Sequence, residues 1–443
     1  MTIKLSDHFT YKKLLHFVFP TILMMIFTSI YGVVDGLFVS NFVGKTAFAS
    51  INLIMPFIMV LGGMGFMLGT GGTALVSKTL GEGNSQKANR YFSMVVYFTL
   101  ILGAVLSVVG IIFMEPVAYF LGATDEMIAD CVLYGRIIAG FTITFMFQNV
   151  FQSFLIAAEK PKLGLFATIA AGLTNMILDA VFITQFNWGV AGAAIATGIS
   201  QAVGGILPLI YFMCPKNTSL LRLTKTNFEI STILKVCANG SSEFMSNISS
   251  SVVSMLYNFQ LMRLAGKDGV SAYGVLMYVQ FIFIAIFIGY SIGSAPIVSY
   301  NFGAKNHSEL KNILKKSSVC MGSSGIILAA LAIVLSGPLA KLFVGYDANL
   351  CDMTQNALRL FSVSFIISGF NIFASSFFTA LNDGGVSAAI SFFRTLIFQT
   401  GSVIILPIFF DLNGIWFAIT AAEIFAFIIS IAFLAGKRKK YGY

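Results

Sequence analysis

Stretches of about 20 or more mostly apolar residues recur along the whole chain, and no other feature restricts its fold as strongly. A helix needs about 20 residues to cross the roughly 30 Å apolar core of a bilayer. Because that core offers no water to backbone polar groups, each such segment must satisfy its own hydrogen bonds as a helix. Twelve segments are predicted to span: 14–41, 47–76, 92–115, 129–157, 164–184, 190–213, 235–262, 270–298, 316–336, 354–381, 386–410 and 413–435.

The composition indicates the same class of protein. Of the 443 residues, 57% are hydrophobic and 10% are charged, whereas soluble domains carry about 25% charge. The net charge of +9 does not indicate nucleic-acid binding, because the basic residues lie in short connections and form no face with interleaved aromatics. The chain is therefore predicted to be an all-α polytopic membrane protein with the bilayer as a partner, and no nucleic acid.

The distribution of positive charge predicts the orientation of the helices. Twenty of the 27 lysine and arginine residues lie in the N-terminal segment, the C-terminal tail and alternate connections, whereas only Arg394 lies deep inside a predicted span. Connections rich in lysine and arginine stay on the cytoplasmic side. Both termini are therefore expected in the cytoplasm, which requires an even number of crossings and agrees with twelve. No small-residue cleavage site follows the basic N-terminus, so the first helix is interpreted as retained.

A repeat divides the chain into two halves. VSKTLGEGN at 76–84 resembles VSYNFGAKN at 298–306, an offset of half the chain length, and the same offset aligns Pro116 with Pro338. Six spans in each half make the repeats parallel, an architecture that secondary transporters commonly use, with the substrate bound between the halves. The expected organisation is an N-terminal six-helix lobe at 1–213, a cytoplasmic linker at 214–234, and a C-terminal six-helix lobe with a basic tail at 235–443.

Two aspartates inside the N-terminal half need an explanation, because a carboxylate at the bilayer centre costs roughly 2.5–3.5 kcal/mol on insertion scales. Counting about 1.5 Å per residue from the predicted helix entries puts four polar residues in the outer half of this bundle: Asp35, Asn175, Asp179 and Thr197. Two carboxylates with an amide oxygen and a hydroxyl can form an oxygen cage for Na⁺, and a carboxylate pair can instead carry a proton. Pairing of either aspartate with Arg136, or capping of a loop end, is the alternative.

Three other charged residues and one proline inside the spans also need an interpretation. Arg394 and Glu423 on the last two spans fit a structural salt bridge as well as a functional pair. Glu243 lies in NGSSEFMSN, a polar stretch that suggests a water-lined surface. Pro20 frees a backbone carbonyl and allows bending, so the helix that also carries Asp35 can link the charge of this carboxylate to its own bend. A passive kink is the alternative for Pro20.

These segments resemble the multidrug and toxic compound extrusion (MATE) transporters, on the side of the family that includes DNA-damage-inducible protein F and MepA. The resemblance covers essentially the whole chain. It is carried by PTILMMIFTSIYGVVDGLFVSNFVG in the first span, GGTALVSKTLGEGN after the second, NMILDAVF in the fifth, WGVAGAAIAT entering the sixth and GIWFAITAAE in the twelfth. It implies two six-helix lobes that form a V around a central cavity.

The resemblance also implies a function. A member of this family is expected to export lipophilic organic cations and other drugs by alternating access, in exchange for H⁺ or Na⁺, as a monomer in a bacterial plasma membrane and without a cofactor or a metal other than Na⁺. The matching residues imply an ion-coupling site at Asp35, Asn175, Asp179 and Thr197, with Pro20 as the gating proline. Glu243 resembles the seventh-helix glutamate of the family, but the tenth span has no acid before Asp383, which departs from members with a full C-terminal cation site.

The substrate cavity is expected to draw on the 45 phenylalanines and 19 methionines, because aromatic faces attract cations and methionine adapts to varied shapes. The nominated substrate contacts are Tyr31, Glu243, Tyr257, Asn258, Tyr273, Met277 and Gln280. One rival function is a lipid-linked saccharide flippase of the same superfamily, which usually has more basic charge in its cavity than Arg136 and Arg394 supply. The other is a membrane-embedded enzyme, which the positions of the three histidines disfavour.

Overall fold

The computed structural model describes residues 3–214 and 216–443, with the backbone alone at Lys45. Within these residues the chain is almost entirely helical and contains no strand. The α-helices are α1 (Tyr11–Phe38), α2 (Lys45–Gly81), α3 (Ser85–Phe120), α4 (Ile128–Gly140), α5 (Thr142–Ala157), α6 (Pro161–Asp179), α7 (Gly189–Met213), α8 (Ile230–Gly303), α9 (His307–Val344), α10 (Ala348–Ser362), α11 (Phe365–Ala380), α12 (Gly384–Phe392) and α13 (Gln399–Tyr441). Three π-helical segments, Val39–Val43, Ala180–Gln185 and Phe393–Phe398, directly follow α1, α6 and α12.

Helix α8 contains two antiparallel spans. A straight helix of its 74 residues would be about 110 Å long, more than three times the thickness of the bilayer core. Gly266 interrupts it with φ 60° and ψ −146°, a conformation that is essentially restricted to glycine. The rings of Tyr257 and Tyr273 stack on each other with centroids 4.8 Å apart, which requires the chain to reverse direction between them.

Helix α13 is divided in the same way. Asp411 has φ 49° and ψ −135°, and the contact of 2.7 Å between Arg394 and Glu423 joins residues that a continuous helix would hold about 43 Å apart. The break therefore separates the eleventh span from the twelfth.

Two predicted spans are bent rather than straight. Helices α4 and α5 meet at 56°, and α10 and α11 meet at 47°. Eight helices are long and apolar enough to cross a membrane, and each bent pair supplies one more crossing. Because α8 and the unit Gly384–Tyr441 each cross twice, the described chain makes the twelve crossings that the sequence predicts.

The repeat found in the sequence recurs in the helix ends. Helices α2 and α8 end at Gly81 and Gly303, which are separated by the same half-chain offset. The side chains of Asn84 and Asn306 then cap α3 and α9 by accepting a backbone hydrogen bond three residues ahead. Equivalent sequences in the two halves therefore form equivalent helix–turn–helix units.

A reciprocal contact joins these two units. Gly81 faces the backbone carbonyl of Tyr300, and Gly303 faces the carbonyl of Lys78. Lys78 and Tyr300 are themselves related by the half-chain offset, so the contact is symmetric. A Cβ atom at either glycine would overlap the opposing carbonyl, so the absence of a side chain allows α2 and α8 to cross this closely.

An N-terminal strap, which we define as residues 3–10, runs across the same end of the molecule. The side chains of Leu5 and Phe9 are fully buried. The amide of Leu5 donates to Oε1 of Glu159 at 2.7 Å, and the amide of Phe9 donates to Oε1 of Glu309 at 2.9 Å. The strap therefore connects the α5–α6 turn with the start of α9, between the two sequence halves.

Candidate functional site

The two aspartates of the N-terminal half lie next to each other. Asp35 lies near the end of α1, and Asp179 is the last residue of α6, which packs against α1. The polar side-chain neighbours of Asp35 are Asp179, Asn175 and Thr197. Asp179 and Asn175 are 0% and 1% exposed, respectively. The structure thus brings together all four residues of the predicted ion-coupling site.

This cluster contains more acceptors than donors. Oδ1 of Asp35, both carboxylate oxygens of Asp179 and Oδ1 of Asn175 are buried without a hydrogen-bond donor among the described residues. The amide of Asn175 donates instead to Oγ1 of Thr197, at 3.5 Å. A buried carboxylate without a partner is costly. The arrangement is therefore electrostatically incomplete and is suited to take up a proton or a small cation.

The alternative in which Arg136 neutralises one of the aspartates does not describe this structure. Its guanidinium lies 3.9 Å from the carboxylate of Glu115, and the two side chains are 46% and 57% exposed. Nε of Arg136 also donates to the backbone carbonyl of Ile111 at 3.2 Å. Arg136 therefore does not act as the counterion of the cluster.

Three of the charged residues inside the spans lie in or close to the π-helical segments. The π-helical segment Val39–Val43 begins four residues after Asp35, and Ala180–Gln185 begins directly after Asp179. The third described segment, Phe393–Phe398, contains Arg394. A π-helical turn leaves some backbone groups without their usual partners and is frequent at functional sites, so both aspartates lie where the backbone is locally adjustable.

The sequence analysis did not identify two uncharged residues that lie near the aspartates. The hydroxyl of Tyr134 lies beside Thr197 and within electrostatic range of both carboxylates. Gln148 lies next to Tyr31, which is itself within electrostatic range of Asp35. Tyr134 and Gln148 are 2% and 5% exposed. The only sequence signal was a polar side chain within an apolar helix, which does not reveal the direction in which that side chain points. Tyr31, nominated as a substrate contact, therefore lies at the border of the carboxylate cluster.

Pro20 lies well away from the carboxylates on the same helix. It is buried within α1, and the separation of 15 residues from Asp35 corresponds to about 22 Å. Helix α1 continues through Pro20 without interruption from Tyr11 to Phe38. The gating role of Pro20 stays a prediction.

A second buried charge cluster lies on the last spans. Nε and Nη2 of Arg394 contact the carboxylate of Glu423 at 2.7 to 3.0 Å, and Nδ2 of Asn371 donates to the same carboxylate at 2.7 Å. Glu423 is fully buried. Glu243 lies near Arg394 but takes no part in this contact. The Arg394–Glu423 pair is internally satisfied, in contrast to the two aspartates.

The other nominated substrate contacts have different environments. Tyr257 and Tyr273 are 3% and 5% exposed and stack on each other within the hydrophobic core. Asn258 is exposed, whereas Met277 and Gln280 are half-buried. Oε1 of Gln280 is buried without a donor among the described residues. Gln280 therefore retains a free acceptor for a ligand. The hydroxyl of Tyr257 is likewise buried without a partner among the described residues, although the rings of both tyrosines are used for packing.

With this geometry established, comparison with known proteins identifies the family. A family model described as MatE matches residues 20–181 and 244–402, most of the chain. This chain belongs to the MatE family. Membership confirms the resemblance seen in the sequence, and because MatE proteins are transporters, the chain is a multi-pass membrane transporter and not an enzyme.

Curated relatives of this MatE protein include two named multidrug export protein MepA. The one from Staphylococcus saprophyticus is 24% identical over 413 residues, which cover 92% of this chain and 88% of the relative. The one from Staphylococcus aureus strain MRSA252 is 25% identical over 415 residues, with the same coverage.

Solved structures share the fold. A structure described as the outward-facing conformation of a multidrug resistance MATE family transporter superposes with a TM-score of 0.92, at 21% identity, and covers 98% of this chain and 97% of that chain. A MATE structure in complex with MaL6 gives a TM-score of 0.91 at 20% identity, with 98% of each chain covered. These matches confirm the all-α fold with twelve spans.

Proposed function

We propose that this MatE protein is a secondary active antiporter that exports organic cations and other amphipathic drugs in exchange for inward H⁺ or Na⁺. The incomplete carboxylate cluster of Asp35 and Asp179 is the observation that carries this proposal. The name multidrug export protein, given to the MepA relatives, agrees with drugs as the substrate class.

The proposed organisation is a monomer with two six-helix lobes, 1–213 and 235–443, in a bacterial plasma membrane with both termini in the cytoplasm. The helix ends that match at an offset of half the chain length support two lobes. The basic residues in the terminal segments and alternate connections support the orientation.

The proposed mechanism couples the charge of the cluster to the shape of the transporter. A single proton or Na⁺ entering from outside cancels one of the two negative charges of Asp35 and Asp179, which relieves the repulsion between two carboxylates in a medium of low dielectric constant. A ligand shifts a conformational equilibrium only by binding the two states unequally. Neutralisation therefore favours the conformation in which the carboxylates are closest together, and the adjacent π-helical segments and Pro20 allow α1 to adjust.

The experiment uses the full chain in proteoliposomes loaded with a fluorescent lipophilic cation, with a proton gradient and a sodium gradient imposed separately. Asp35→Asn and Asp179→Asn keep the size of each side chain but remove its charge. Each is expected to lower gradient-driven efflux at least tenfold, while Asp125→Asn, at an exposed loop aspartate, retains it.

The two gradients distinguish the coupling ions, because only the coupled gradient will drive efflux in the wild-type protein. Folding of each variant is checked from its helical circular dichroism and its unfolding transition. Normal gradient-driven efflux by either folded Asp→Asn variant at the cluster would refute the assignment of the coupling site.

A further inference from the structure

A basic cavity lies at the cytoplasmic end of α3, far from the carboxylate cluster. Its volume is about 710 Å³. Its lining includes Arg90, Tyr97, Thr224, Lys225, Thr226 and Asn227 and contains no acidic residue. The cavity therefore combines two positive charges with hydroxyl and amide donors.

One wall of the cavity is the connection between α7 and α8. This connection is shorter than the predicted linker 214–234, because α8 already begins at Ile230. The amide of Arg222 donates to Oδ1 of Asn89, and the amide of Thr224 donates to Oγ of Ser93, both at 2.8 Å. Since Asn89 and Ser93 are one turn apart on α3, these bonds hold the connection along that helix and fix the shape of the cavity.

The positive charges of the cavity have no counterion. Arg90 and Lys225 are exposed, and neither takes part in an ion pair among the described residues. Glu229 lines an adjoining cavity of about 240 Å³ that Arg90 also lines. Glu229 forms no ion pair among the described residues, and its carboxylate accepts from the hydroxyl of Thr232 at 2.9 Å. The main cavity is thus suited to an anion.

Exposed apolar side chains lie on α3 and at the start of α8, a few residues from the residues that line the cavity. Leu100 and Ile101 follow Tyr97 on α3 and are 45% and 55% exposed. Ile230 and Leu234, at the start of α8, are 66% and 62% exposed. Tyrosine is enriched where apolar chains meet the aqueous boundary, so the cavity lies at headgroup level with hydrocarbon beyond it.

We propose that this cavity binds the phosphate headgroup of an anionic phospholipid of the cytoplasmic leaflet. The guanidinium of Arg90 provides paired donors that match phosphate oxygens, and Lys225 adds a second charge. The acyl chains then lie along the exposed apolar residues of α3 and α8. This proposal depends on the proposed orientation of the chain but not on drug transport or on its coupling ion.

The bound lipid has a structural consequence. It contacts both α3 and the connection between α7 and α8, so it stabilises the docked form of that connection. Basic pockets between helices on the cytoplasmic side are known binding sites for anionic headgroups.

The test measures binding of fluorescent phosphatidylglycerol to the purified full chain in neutral detergent, with phosphatidylcholine as the reference lipid. Each basic residue near an anionic surface contributes about 1 kcal/mol. The variant Arg90→Gln/Lys225→Gln is therefore expected to bind phosphatidylglycerol about 30-fold more weakly, which corresponds to about 2 kcal/mol.

Two variants serve as controls. Lys216→Gln removes a charge from the same connection but outside the cavity, and is expected to bind like the wild-type chain. Arg90→Lys, which keeps the charge, is expected to lose less than Arg90→Gln. Equal affinity for the two lipids, or equal loss in Lys216→Gln and the double variant, would overturn the proposal.

A competition experiment separates the lipid from free phosphate. Inorganic phosphate at millimolar concentration is added to the lipid complex at constant ionic strength, with sulfate as the control anion. Retention of phosphatidylglycerol supports a lipid site with both headgroup and chain contacts. Full displacement by inorganic phosphate would overturn the assignment to a lipid.

Discussion

Removal of the carboxylate of Glu423 should destabilise the protein more than removal of an exposed carboxylate. In Glu423→Gln the guanidinium of Arg394, whose side chain is only 13% exposed, loses its counterion and contacts of 2.7 to 3.0 Å. Removing one partner of a buried ion pair costs about 3–5 kcal/mol. The glutamine carbonyl can still accept from Asn371, so we expect a loss near the lower limit, about 3 kcal/mol.

The assay is reversible unfolding of the purified chain in mixed micelles, followed by helical circular dichroism. Glu115→Gln is the matched control, because Glu115 faces Arg136 across 3.9 Å and both side chains are about half exposed. Exposed pairs contribute about 0–1 kcal/mol.

The double variant Arg394→Met/Glu423→Met tests the physical origin of the loss. Replacing both members of a buried pair with apolar residues is often close to neutral, so this variant should recover most of the stability that Glu423→Gln loses. A loss below about 1 kcal/mol in Glu423→Gln, equal to that of Glu115→Gln, would refute the reasoning from burial.

Two further predictions concern the end of the molecule that carries the N-terminal strap. Glu309→Gln weakens the charge-assisted hydrogen bond that holds the N-terminal strap, so the rate of amide hydrogen exchange in the strap should rise about tenfold. The control Glu82→Gln, at an exposed residue, should leave this rate unchanged. Equal protection of the strap in both variants would contradict the role of Glu309. Burial alone would raise the pKa of Asp383, but the hydrogen bond from Tyr441 and the charge of Lys440 more than offset this effect and keep the pKa below its usual value of 3.8. The stabilising contribution of Asp383 is therefore present at pH values above its usual pKa and is lost as the pH falls through its lower pKa in the folded protein. The difference in unfolding free energy between wild type and Asp383→Asn should shrink from about pH 6 to about pH 3. A difference that does not change with pH would argue against this role of Asp383.

The number and order of the spans could be predicted because the length of an apolar segment is a property of the sequence alone. The reversals at Gly266 and Asp411 fall in the short intervals between predicted spans. The bends in the fourth and tenth spans could not be predicted, since apolar content does not change at Phe141 or Val363. A change of direction within a span depends on how neighbouring helices pack.

The charged residues of the candidate site could be predicted because burying a charge in a bilayer costs free energy. Asp35 and Asp179 were selected as candidates for that reason. Counting residues from the predicted helix entries placed both at a similar depth in the bilayer. Tyr134 and Gln148 carry no charge, so no comparable energetic argument selects them among the many polar residues of apolar helices. The same limit applies to Asn371, whose contact with Glu423 depends on how the helices are rotated.

The N-terminal strap makes more hydrogen bonds to one sequence half than to the other. This difference determines which contacts would break first if the two halves separated. Helices α8 and α9 hold the strap through four side chains. Asn301, Asn312 and Lys316 donate to its carbonyl groups, and Glu309 accepts from the amide of Phe9. The opposite side holds it through Glu159. Separation of the two sequence halves at the strap would therefore break the bond between Leu5 and Glu159 first and leave the strap attached to α9. Because α1 begins directly after the strap, such a movement would pull on the first turn of the helix that carries Asp35. The chain itself would thus link the contact between the sequence halves to the distant carboxylate.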